Sequence, residues 1–482
     1  MAAAIRPAET RYSGGMPLST EALTLAPILL LVIVLWVTEA LPLAVTALLG
    51  AVACVVAGVA PAKEVFRPFA DPLIFLFIGS FCIAEAIRLR RLDRRLAYAV
   101  LSVPGVGERP ARILGAIALV SVLISAFISN TVTAAMMMAI VTGILGAIET
   151  ASLEHGRPPA PTFATSLFLC VAFAASIGGL ATPIGTPPNL IGLAFIRDQV
   201  GVTVSFFGWC AIGVPLVAVL TTFAVAVLTR MFPAGIERLE GVGQYVAVER
   251  QRLGGWTVGQ QSVAAAFALT VAMWVLPGLL LLAFGAAHPL CIWLGKRLPE
   301  GVAALIGAIL LFLLPGDVDE SGRRRRALEW REARLDWDIV LLYGGGLALG
   351  ELCFSTGLAG AIGRSITGWI PAGEWSGPAL VAVAAMVAVL TSEFTSNTAS
   401  ANMVVPVVIA LSRAIGVDPL VPALAATFGS SLGFMMPVST PCNAIVYGSG
   451  RVPLRAMMAG GAVIDVAGVI TVTLAMLLAS RA

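Results

Sequence analysis

Two short polar segments interrupt long apolar stretches of the sequence. Ser125–Thr131 reads Ser-Ala-Phe-Ile-Ser-Asn-Thr, and Ser392–Thr398 repeats five of its seven residues. Serines four residues apart, present in both segments, share one helix face and can direct their oxygens at one hard cation such as sodium. Asn and Thr favour helix starts, where free N–H groups and the positive end of the helix dipole attract an anion. Each segment therefore predicts binding of a cation and an anion.

A second polar break follows each of these segments. Ile184–Asn189 ends in Thr-Pro-Pro-Asn, and Val438–Asn443 ends in Thr-Pro-Cys-Asn. Proline removes a backbone donor and frees a carbonyl group within a helix, so both segments predict broken membrane helices. Upstream, Pro72–Gly79 is echoed by Asp338–Gly345. A single Ser-Asn-Thr segment is more often interhelical packing, but four breaks in paired order favour a binding site formed by two repeats.

The residues that must position these breaks are mostly apolar. Hydrophobic residues make up 59% of the 482-residue chain, charged residues make up 12%, and the mean hydropathy is +0.95. Residues 113–148, 158–196 and 253–287 contain no Asp, Glu, Lys, Arg or His. Uncharged apolar runs of about 18 or more residues predict membrane spans. We therefore expect an all-α polytopic membrane protein surrounded by membrane lipid.

The composition also argues against other classes of protein. A net charge of +3 is too small to indicate a nucleic-acid partner. The seven cysteines form no close pair and only two histidines occur, so the sequence offers little for a disulfide framework or a metal centre. No cluster of nucleophile, base and metal ligands is visible. We therefore predict no enzyme, no catalytic residues and no enzymatic cofactor.

About ten membrane crossings and two re-entrant hairpins are predicted. The predicted divisions are a polar N-terminal segment at 1–22, a first inverted repeat at 23–230, a cytoplasmic connection at 231–261 and a second inverted repeat at 262–482, with hairpins near 113–148 and 377–412. An odd number of crossings separates equivalent elements, which predicts that the repeats are inverted. The basic loops then all fall on the cytoplasmic side, and both termini face the periplasm of a bacterial-type inner membrane. Two full spans within 113–148 would keep the same parity, so charge leaves that alternative open.

At these motifs the chain resembles the divalent anion/sodium symporter family, the sodium-dependent dicarboxylate, citrate and sulfate carriers. The resemblance runs from Leu23 to the C-terminus. It implies an inverted-repeat fold with two re-entrant hairpins and broken helices, a homodimer, and an elevator-type movement. It also implies that the substrate contacts Asn130, Thr131, Thr186, Pro187, Ser396, Asn397, Thr398, Thr440 and Pro441. The implied sodium ligands are Ser125, Ser129, Asn130 and Gly185 at one site and Ser392, Thr395, Asn397 and Ser439 at the other.

The resemblance implies a secondary active transporter of C4-dicarboxylates, such as succinate, malate or fumarate, symported with sodium. An exchanger, a proton-coupled carrier, and a carrier of sulfate, citrate or another oxyanion are the alternatives. Two features depart from the family pattern: Cys442 replaces the second proline of the second break, and residues 1–21 supply no additional first transmembrane helix. The cysteine is expected to loosen the second break. The lack of the additional helix is expected to affect the dimer more than the binding site.

Intramembrane carboxylates are candidates for function. Glu393 lies within the second polar segment, and the sequence leaves open whether it is a structural partner or takes part in ion coupling. Glu85 and Glu351 occupy equivalent positions in the two repeats. This equivalence predicts a shared scaffold role for the two side chains.

Overall fold

The first half of the chain, up to Met231, is described as helices from α1 to the long apolar helix α10. The computed structural model describes residues 18–154, 161–285, 287–319, 321–367 and 377–480, so most of the predicted N-terminal segment lies outside the described residues. The helices of this half are α1 (Thr20–Thr38), α2 (Leu43–Val56), α3 (Ala62–Val65), α4 (Pro72–Leu89), α5 (Leu92–Leu101), α6 (Pro110–Ser125), α7 (Asn130–Glu154), α8 (Pro161–Gly178), α9 (Pro187–Phe195) and α10 (Phe206–Met231).

The second half repeats this order after a short helix in the predicted 231–261 connection. Its elements are α11 (Val242–Arg252), α12 (Val258–Phe284), α13 (Pro289–Arg297), α14 (Glu300–Leu313), β1 (Pro315–Val318), β2 (Arg324–Arg326), α15 (Trp337–Ser355), α16 (Leu358–Thr367), α17 (Gly377–Phe394), α18 (Asn397–Ala414), α19 (Leu420–Gly429), α20 (Pro441–Gly448) and α21 (Leu454–Ala479). The pairs α6–α7 and α17–α18 are the two re-entrant hairpins. The interrupted pairs α8–α9 and α19–α20 are the two broken helices.

The described helices confirm an all-α polytopic membrane protein. Eight of them are long and apolar enough to cross a membrane, namely α1, α4, α7, α10, α12, α15, α17 and α21. Five shorter helices are also apolar, and they include α2, α14 and the first parts of both broken helices. With the hairpins set aside, the described crossings are α1, α2, α4, α8–α9, α10, α12, α14, α15, α19–α20 and α21. This set agrees with the expected number.

Six helices, α1, α2, α4, α12, α14 and α15, form a frame in which the two halves are interlocked. α4 packs against α14, and α2 packs against α15. Both contacts depend on glycine: a Cβ atom at Gly79 would lie 2.6 Å from the backbone of Ala304, and one at Gly345 would lie 2.6 Å from Ala47 Cβ. Each half therefore supplies a frame helix that packs closely against a helix of the other half.

The hairpins and broken helices, with α10 and α21, form a second unit that we call the hairpin body (α6–α10 and α17–α21). Trp209 of α10 stacks on Phe428 of α19, with ring centroids 4.3 Å apart. The indole N–H of Trp209 donates to the carbonyl oxygen of Leu180, at 2.9 Å. These buried contacts join the two halves across the hairpin body, so both hairpins are held in one unit.

The basic connection before α15 contains structure that the sequence did not predict. β1 pairs with β2 in antiparallel register, with Pro315 opposite Arg326. Arg90 donates to the carbonyl oxygens of Arg326 (2.8 Å) and Ala327 (3.0 Å), and its guanidinium lies 3.4 Å from Asp317. The backbone at the end of the basic run is therefore bonded to the side chain of Arg90 at the end of α4.

Candidate binding site at the hairpin tips

Four helix N-termini converge on one cavity between the frame and the hairpin body. α7 begins at Asn130, α9 at Pro187, α18 at Asn397 and α20 at Pro441, and all four residues line the cavity. Its volume is about 460 Å³. Each N-terminus presents free backbone N–H groups and a positive dipole end, so the cavity suits an anion.

The cavity brings together every residue predicted for substrate contact. Its lining includes Asn130, Thr131, Thr186, Pro187, Ser396, Asn397, Thr398, Thr440 and Pro441. The frame adds an apolar wall that includes Phe77, Phe81 and Leu342. Small-molecule sites typically have volumes of about 300–1,000 Å³, so the space suits a compact polar solute.

The first hairpin tip is organised by a buried serine at the end of α6. Asn130 Nδ2 donates to Ser125 Oγ, at 2.6 Å, and the Ser125 hydroxyl donates to the carbonyl oxygen of Ala175, at 2.6 Å. Ser125 is completely buried. The first contact closes the turn between α6 and α7, and the second ties that turn to α8. The Ser125 hydroxyl and the Ala175 carbonyl oxygen thus meet out of contact with solvent at this tip.

The second tip repeats this geometry at the equivalent residues. Ser392 Oγ lies 2.7 Å from Asn397 Oδ1 and 3.0 Å from the carbonyl oxygen of Ser430. Ser392 is also completely buried. At this tip the hydroxyl of Ser396 caps α18 by accepting from the N–H of Ala399, at 3.1 Å. The two tips are therefore built alike.

Both broken helices are braced by an asparagine in the second segment. Asn189 Nδ2 donates to the carbonyl oxygens of Gly179 (2.9 Å) and Thr182 (2.8 Å). Asn443 Nδ2 donates to the carbonyl oxygens of Gly433 (3.2 Å) and Met436 (2.9 Å). These bonds satisfy carbonyl groups that the breaks free, which an apolar environment requires. The sequence predicted the breaks but gave these asparagines no role in the site.

The second broken helix keeps its asparagine hydrogen bonds although Cys442 stands where the family pattern has a proline. α20 begins at Pro441, and its N-cap Thr440 accepts from the N–H of Asn443, at 3.1 Å. Cys442 is completely buried and lines the cavity. The proline that the family pattern would place there is therefore not needed to start the helix.

Replacing Asn443 with alanine is expected to lower the free energy of unfolding by about 2 kcal/mol, since two hydrogen bonds of about 1 kcal/mol each are lost. Thermal unfolding of the purified protein in detergent measures the change. Asn402→Ala is the matched control, because its amide donates only within α18, to the carbonyl oxygen of Thr398. Equal melting temperatures for the two variants would contradict the bracing role.

One glycine beside each tip leaves open space there. A Cβ atom at Gly179 would lie 2.6 Å from the side-chain amide of Asn130, and one at Gly433 would lie 3.0 Å from Ser392 Oγ. Any side chain at these positions would fill the space next to the tip oxygens. The buried oxygens and the open space fit a small hard cation. Neither glycine was predicted, although the spacing between Asn189 and Asn443 also relates Gly179 to Gly433.

The other residues predicted as sodium ligands lie around the same two tips. Ser129 and Gly185 line the cavity, and Gly185 also packs closely against the backbone of Gly179. Thr395 is buried, but its hydroxyl donates to the carbonyl oxygen of Thr391, at 2.8 Å. Ser439 is buried with its hydroxyl on a carboxylate. Thr395 can therefore offer an ion its backbone oxygen more readily than its hydroxyl.

The carboxylate that the Ser439 hydroxyl contacts belongs to Glu393, and its oxygens accept three hydrogen bonds. The donors are the N–H groups of Met435 (2.9 Å) and Met436 (3.1 Å) and the hydroxyl of Ser439 (2.8 Å). Glu393 thus joins the end of α17 to the second break. Of the two roles that the sequence left open, the structural one has direct contacts.

The two equivalent scaffold carboxylates each have an arginine partner. Glu85 lies 2.5 Å from Arg88 on the same helix. Glu351 lies 3.1 Å from Arg67, which precedes α4. Both pairs lie within the frame, in agreement with the predicted scaffold role.

The cavity lacks a basic side chain among the described residues that line it. Asp336 and Asp338 stand at its edge, at the start of α15. Burial raises the pKa of Asp336, and the nearby Asp338 carboxylate also raises it. Arg88 and Arg334 line an adjoining cavity instead. A bound anion would therefore find positive charge in the helix N-termini and in cations at the tips.

An ion pair closes the opposite end of the interface between the frame and the hairpin body. Asp71 caps α4, and its carboxylate accepts from Arg197 Nη2 (2.6 Å) and from the hydroxyl of Tyr343 (3.0 Å). Arg197 follows α9 in the hairpin body, whereas Asp71 and Tyr343 belong to the frame. The side chains of Asp71 and Arg197 are 9% and 28% exposed. This Asp71–Arg197 bridge joins the two units at the end away from Arg88.

Comparison with known proteins shows the family to which this chain belongs. Residues 14–480 match the family described as the sodium:sulfate symporter transmembrane region. The chain belongs to this family. Among its relatives, the sodium-dependent dicarboxylate transporter SdcS of Staphylococcus saprophyticus is 32% identical over 447 residues, covering 91% of this chain and 82% of that protein. The Staphylococcus aureus protein of the same name is 31% identical, covering 88% and 80%.

Solved structures support the fold of this sodium:sulfate symporter family member. The Alcanivorax borkumensis YdaH transporter has a TM-score of 0.54 at 16% identity and covers 86% of this chain and 85% of its own. Neisseria gonorrhoeae MtrF has a TM-score of 0.55 at 12% identity and covers 96% and 95%. At these identities the likeness concerns the fold alone. The family assignment agrees with the resemblance found at the paired motifs.

Proposed function

We propose that this chain is a secondary active transporter, not an enzyme, that symports C4-dicarboxylates such as succinate, malate and fumarate with sodium. The observation that carries the proposal is the cavity on which both hairpin tips and four helix N-termini converge without a basic side chain among its described lining residues. The names of the relatives, sodium-dependent dicarboxylate transporters, support the same substrate and ion.

Sodium would bind at the two tips before or with the anion. The first site would use Ser125, Ser129, Asn130 and Gly185, and the second would use Ser392, Thr395, Asn397 and Ser439. A dicarboxylate would then place its carboxylates against the tip amides and hydroxyls and the N-termini of α9 and α20. Because the anion has no arginine or lysine there, the bound sodium ions supply part of the attraction, which couples the two bindings.

Transport would proceed by an elevator-type movement of the hairpin body against the frame. The cavity adjoins the end of α4 that carries Arg88. With that end in the cytoplasm, the cavity would face the cytoplasm and the Asp71–Arg197 bridge would close the periplasmic end. The frame would form the homodimer contact, since the hairpin body must remain free to move. The two inverted repeats would span residues 23–230 and 262–482.

The predicted orientation places both termini in the periplasm of a bacterial inner membrane. Ser19, which caps α1, donates its hydroxyl to the carbonyl oxygen of Thr356, at 3.2 Å. The start of α1 therefore lies beside the end of α15, at the end opposite Arg88. Cytoplasmic placement of the basic loops then puts the N-terminus outside.

Uptake of radiolabelled succinate into proteoliposomes tests the proposal. An inward sodium gradient is expected to raise the initial uptake rate at least tenfold over a potassium gradient, because sodium supplies charge that the cavity lacks. Uptake only against preloaded dicarboxylate, indifferent to sodium, would indicate an exchanger. Stimulation by a proton gradient in place of sodium would indicate a proton-coupled carrier. Sodium-driven uptake of sulfate or citrate but not succinate would change the substrate and keep the coupling.

A further inference from the structure

Four consecutive arginines, Arg323–Arg326, lie in the β1–β2 ribbon beyond the end of frame helix α14. Three of them are exposed, and Arg325 is partly buried. Arg325 Nε donates to Glu329 and its Nη2 donates to Glu332, both at 2.9 Å. One guanidinium of the run is therefore neutralised within the chain, and three remain to be explained.

The side chains of β2 alternate between two faces, because successive residues of a strand point to opposite sides. Arg325 points to the face on which its two glutamate partners lie. Arg324 and Arg326 share the opposite face, and both are exposed. Arg326 Nη1 donates to the carbonyl oxygen of Leu313, the last residue of α14, at 2.7 Å. This hydrogen bond places the face of Arg324 and Arg326 at the end of that helix.

The end of α14 is apolar and exposed on one side. Ile309 and Leu313, one turn apart, are 54% and 61% exposed, as expected for side chains that contact acyl chains. Trp330 packs beside this end, with its ring centroid 5.8 Å from that of Phe312, and is itself 71% exposed. Tryptophan favours the level of the lipid headgroups. The two arginines of the shared face therefore lie at headgroup level.

Two nearby carboxylates have partners of their own. Asp317 accepts from the guanidinium of Arg90, at 3.4 Å. Asp319 accepts from the N–H of Arg323, at 3.0 Å. The side chain of Arg324 has no hydrogen bond or ion pair among the described residues. Its charge is therefore free to meet an anion from outside the chain.

A lipid headgroup is the anion that this surface fits best. Guanidinium groups bind phosphate oxygens through paired hydrogen bonds, and basic residues beside a membrane helix attract anionic lipids. The exposed end of α14 and the indole of Trp330 provide apolar and interfacial surfaces that a lipid uses and a soluble anion does not. A second copy of this chain would bring the same arginines together at a twofold contact, which like-charge repulsion opposes.

We propose that Arg324, Arg326 and Trp330 form a binding site for an anionic phospholipid. Its phosphate would accept hydrogen bonds from the two guanidinium groups, and its acyl chains would lie along Ile309 and Leu313. The ribbon continues from α14, so the lipid would stay with the frame rather than with the hairpin body. The inference does not depend on which anion the protein carries.

Fluorescence quenching by brominated lipids tests the site in the full-length protein. The protein is reconstituted into phosphatidylcholine vesicles that contain brominated phosphatidylglycerol or brominated phosphatidylcholine at the same mole fraction. The chain has nine tryptophans, so quenching of the matching Trp330→Phe protein is subtracted to isolate Trp330. Phosphatidylglycerol is expected to bind beside Trp330 about 30-fold more tightly than phosphatidylcholine, the equivalent of about 2 kcal/mol for two arginines.

Arg324→Gln removes one of the two charges without breaking a contact among the described residues. It is expected to lower this preference about fivefold. Arg326→Gln keeps a donor for the carbonyl oxygen of Leu313 and should give a loss of the same size. Arg238→Gln is the matched control, because Arg238 is exposed in the connection between α10 and α11 and its loss changes the net charge equally. It should leave the preference unchanged.

Equal quenching of Trp330 by the two brominated lipids would overturn the proposal, since lipid contact without an anion site does not distinguish the headgroups. A loss in Arg238→Gln as large as that in Arg324→Gln would also overturn it, because net charge alone would then explain the preference. Quenching by neither lipid would mean that a protein surface, such as a second copy, covers the patch, and would contradict a lipid site. Vesicles without succinate suffice, so failure of the proposed function leaves this test intact.

Discussion

Replacing Asn397 with alanine is expected to reduce sodium-driven succinate uptake at least about 100-fold. The Asn397 side chain lines the cavity and contacts Ser392 at the second tip, so its loss affects both the anion and the ion. Hydrogen bonds to charged groups contribute about 1.5–3 kcal/mol each, and two such losses of about 1.4 kcal/mol or more correspond to 100-fold or more. Initial uptake rates in proteoliposomes, at equal amounts of reconstituted protein, measure the effect.

Asn402→Ala serves as the control for this experiment, because Asn402 lies on the same helix and, within the part of the chain that the structure describes, its amide donates only to the carbonyl oxygen of Thr398. Its uptake rate should stay within about threefold of wild type, as expected for a loss below about 0.7 kcal/mol. Asn130→Ala should match Asn397→Ala, since the first tip has the same geometry. Uptake near the wild-type rate in either tip variant would remove that tip from the site.

Replacing Arg197 with leucine is expected to shift the protein away from the proposed cytoplasm-facing state by about 10- to 100-fold in population. Asp71 is nearly buried, and removing the partner of a buried charge costs about 3–5 kcal/mol. Part of that cost is offset by the remaining hydrogen bond from Tyr343, and a shift of about 1.4–2.8 kcal/mol gives the stated range. The proposed elevator-type movement of the hairpin body would separate Asp71 from Arg197 in any case, so the opposite state would lose no interaction.

Labelling by a membrane-impermeant thiol reagent measures this shift. A cysteine at Phe127, which lines the cavity at the first tip, should react faster from the periplasmic side in the Arg197→Leu protein, with the chain lacking that cysteine as background. Arg67→Leu is the matched control, because the Arg67–Glu351 pair lies at the same end but within the frame. Equal shifts in both variants would mean that the Asp71–Arg197 bridge does not hold the two units together.

The sequence predicted the features that depend on local chemistry. Ser-Asn-Thr and Thr-Pro-x-Asn both favour a helix break within an apolar run, and their paired order allowed the tips and the breaks to be placed from the sequence. Their pairing across the repeats then predicted that they meet. The structure brings Asn130, Asn397, Thr186 and Thr440 to one cavity.

Features that depend on distant packing could not be predicted. Gly179 and Gly433 look like ordinary membrane glycines until their distance from the tip oxygens is known. Asp71 and Arg197 are separated by 126 positions, and nothing in either neighbourhood indicates the other. Such ion pairs between residues far apart in the sequence form only where the tertiary fold brings the two helix faces together.

The interlocked frame has a consequence for how the protein is made. α4 leaves the ribosome more than 200 residues before α14, whose backbone must fill the groove at Gly79. At about 5–20 residues per second, that groove stays uncovered in the bilayer for roughly 10–40 s of synthesis. The first half therefore resides in the membrane as an incomplete unit, open to lipid, insertion factors and quality-control proteases, until the second half arrives to close it.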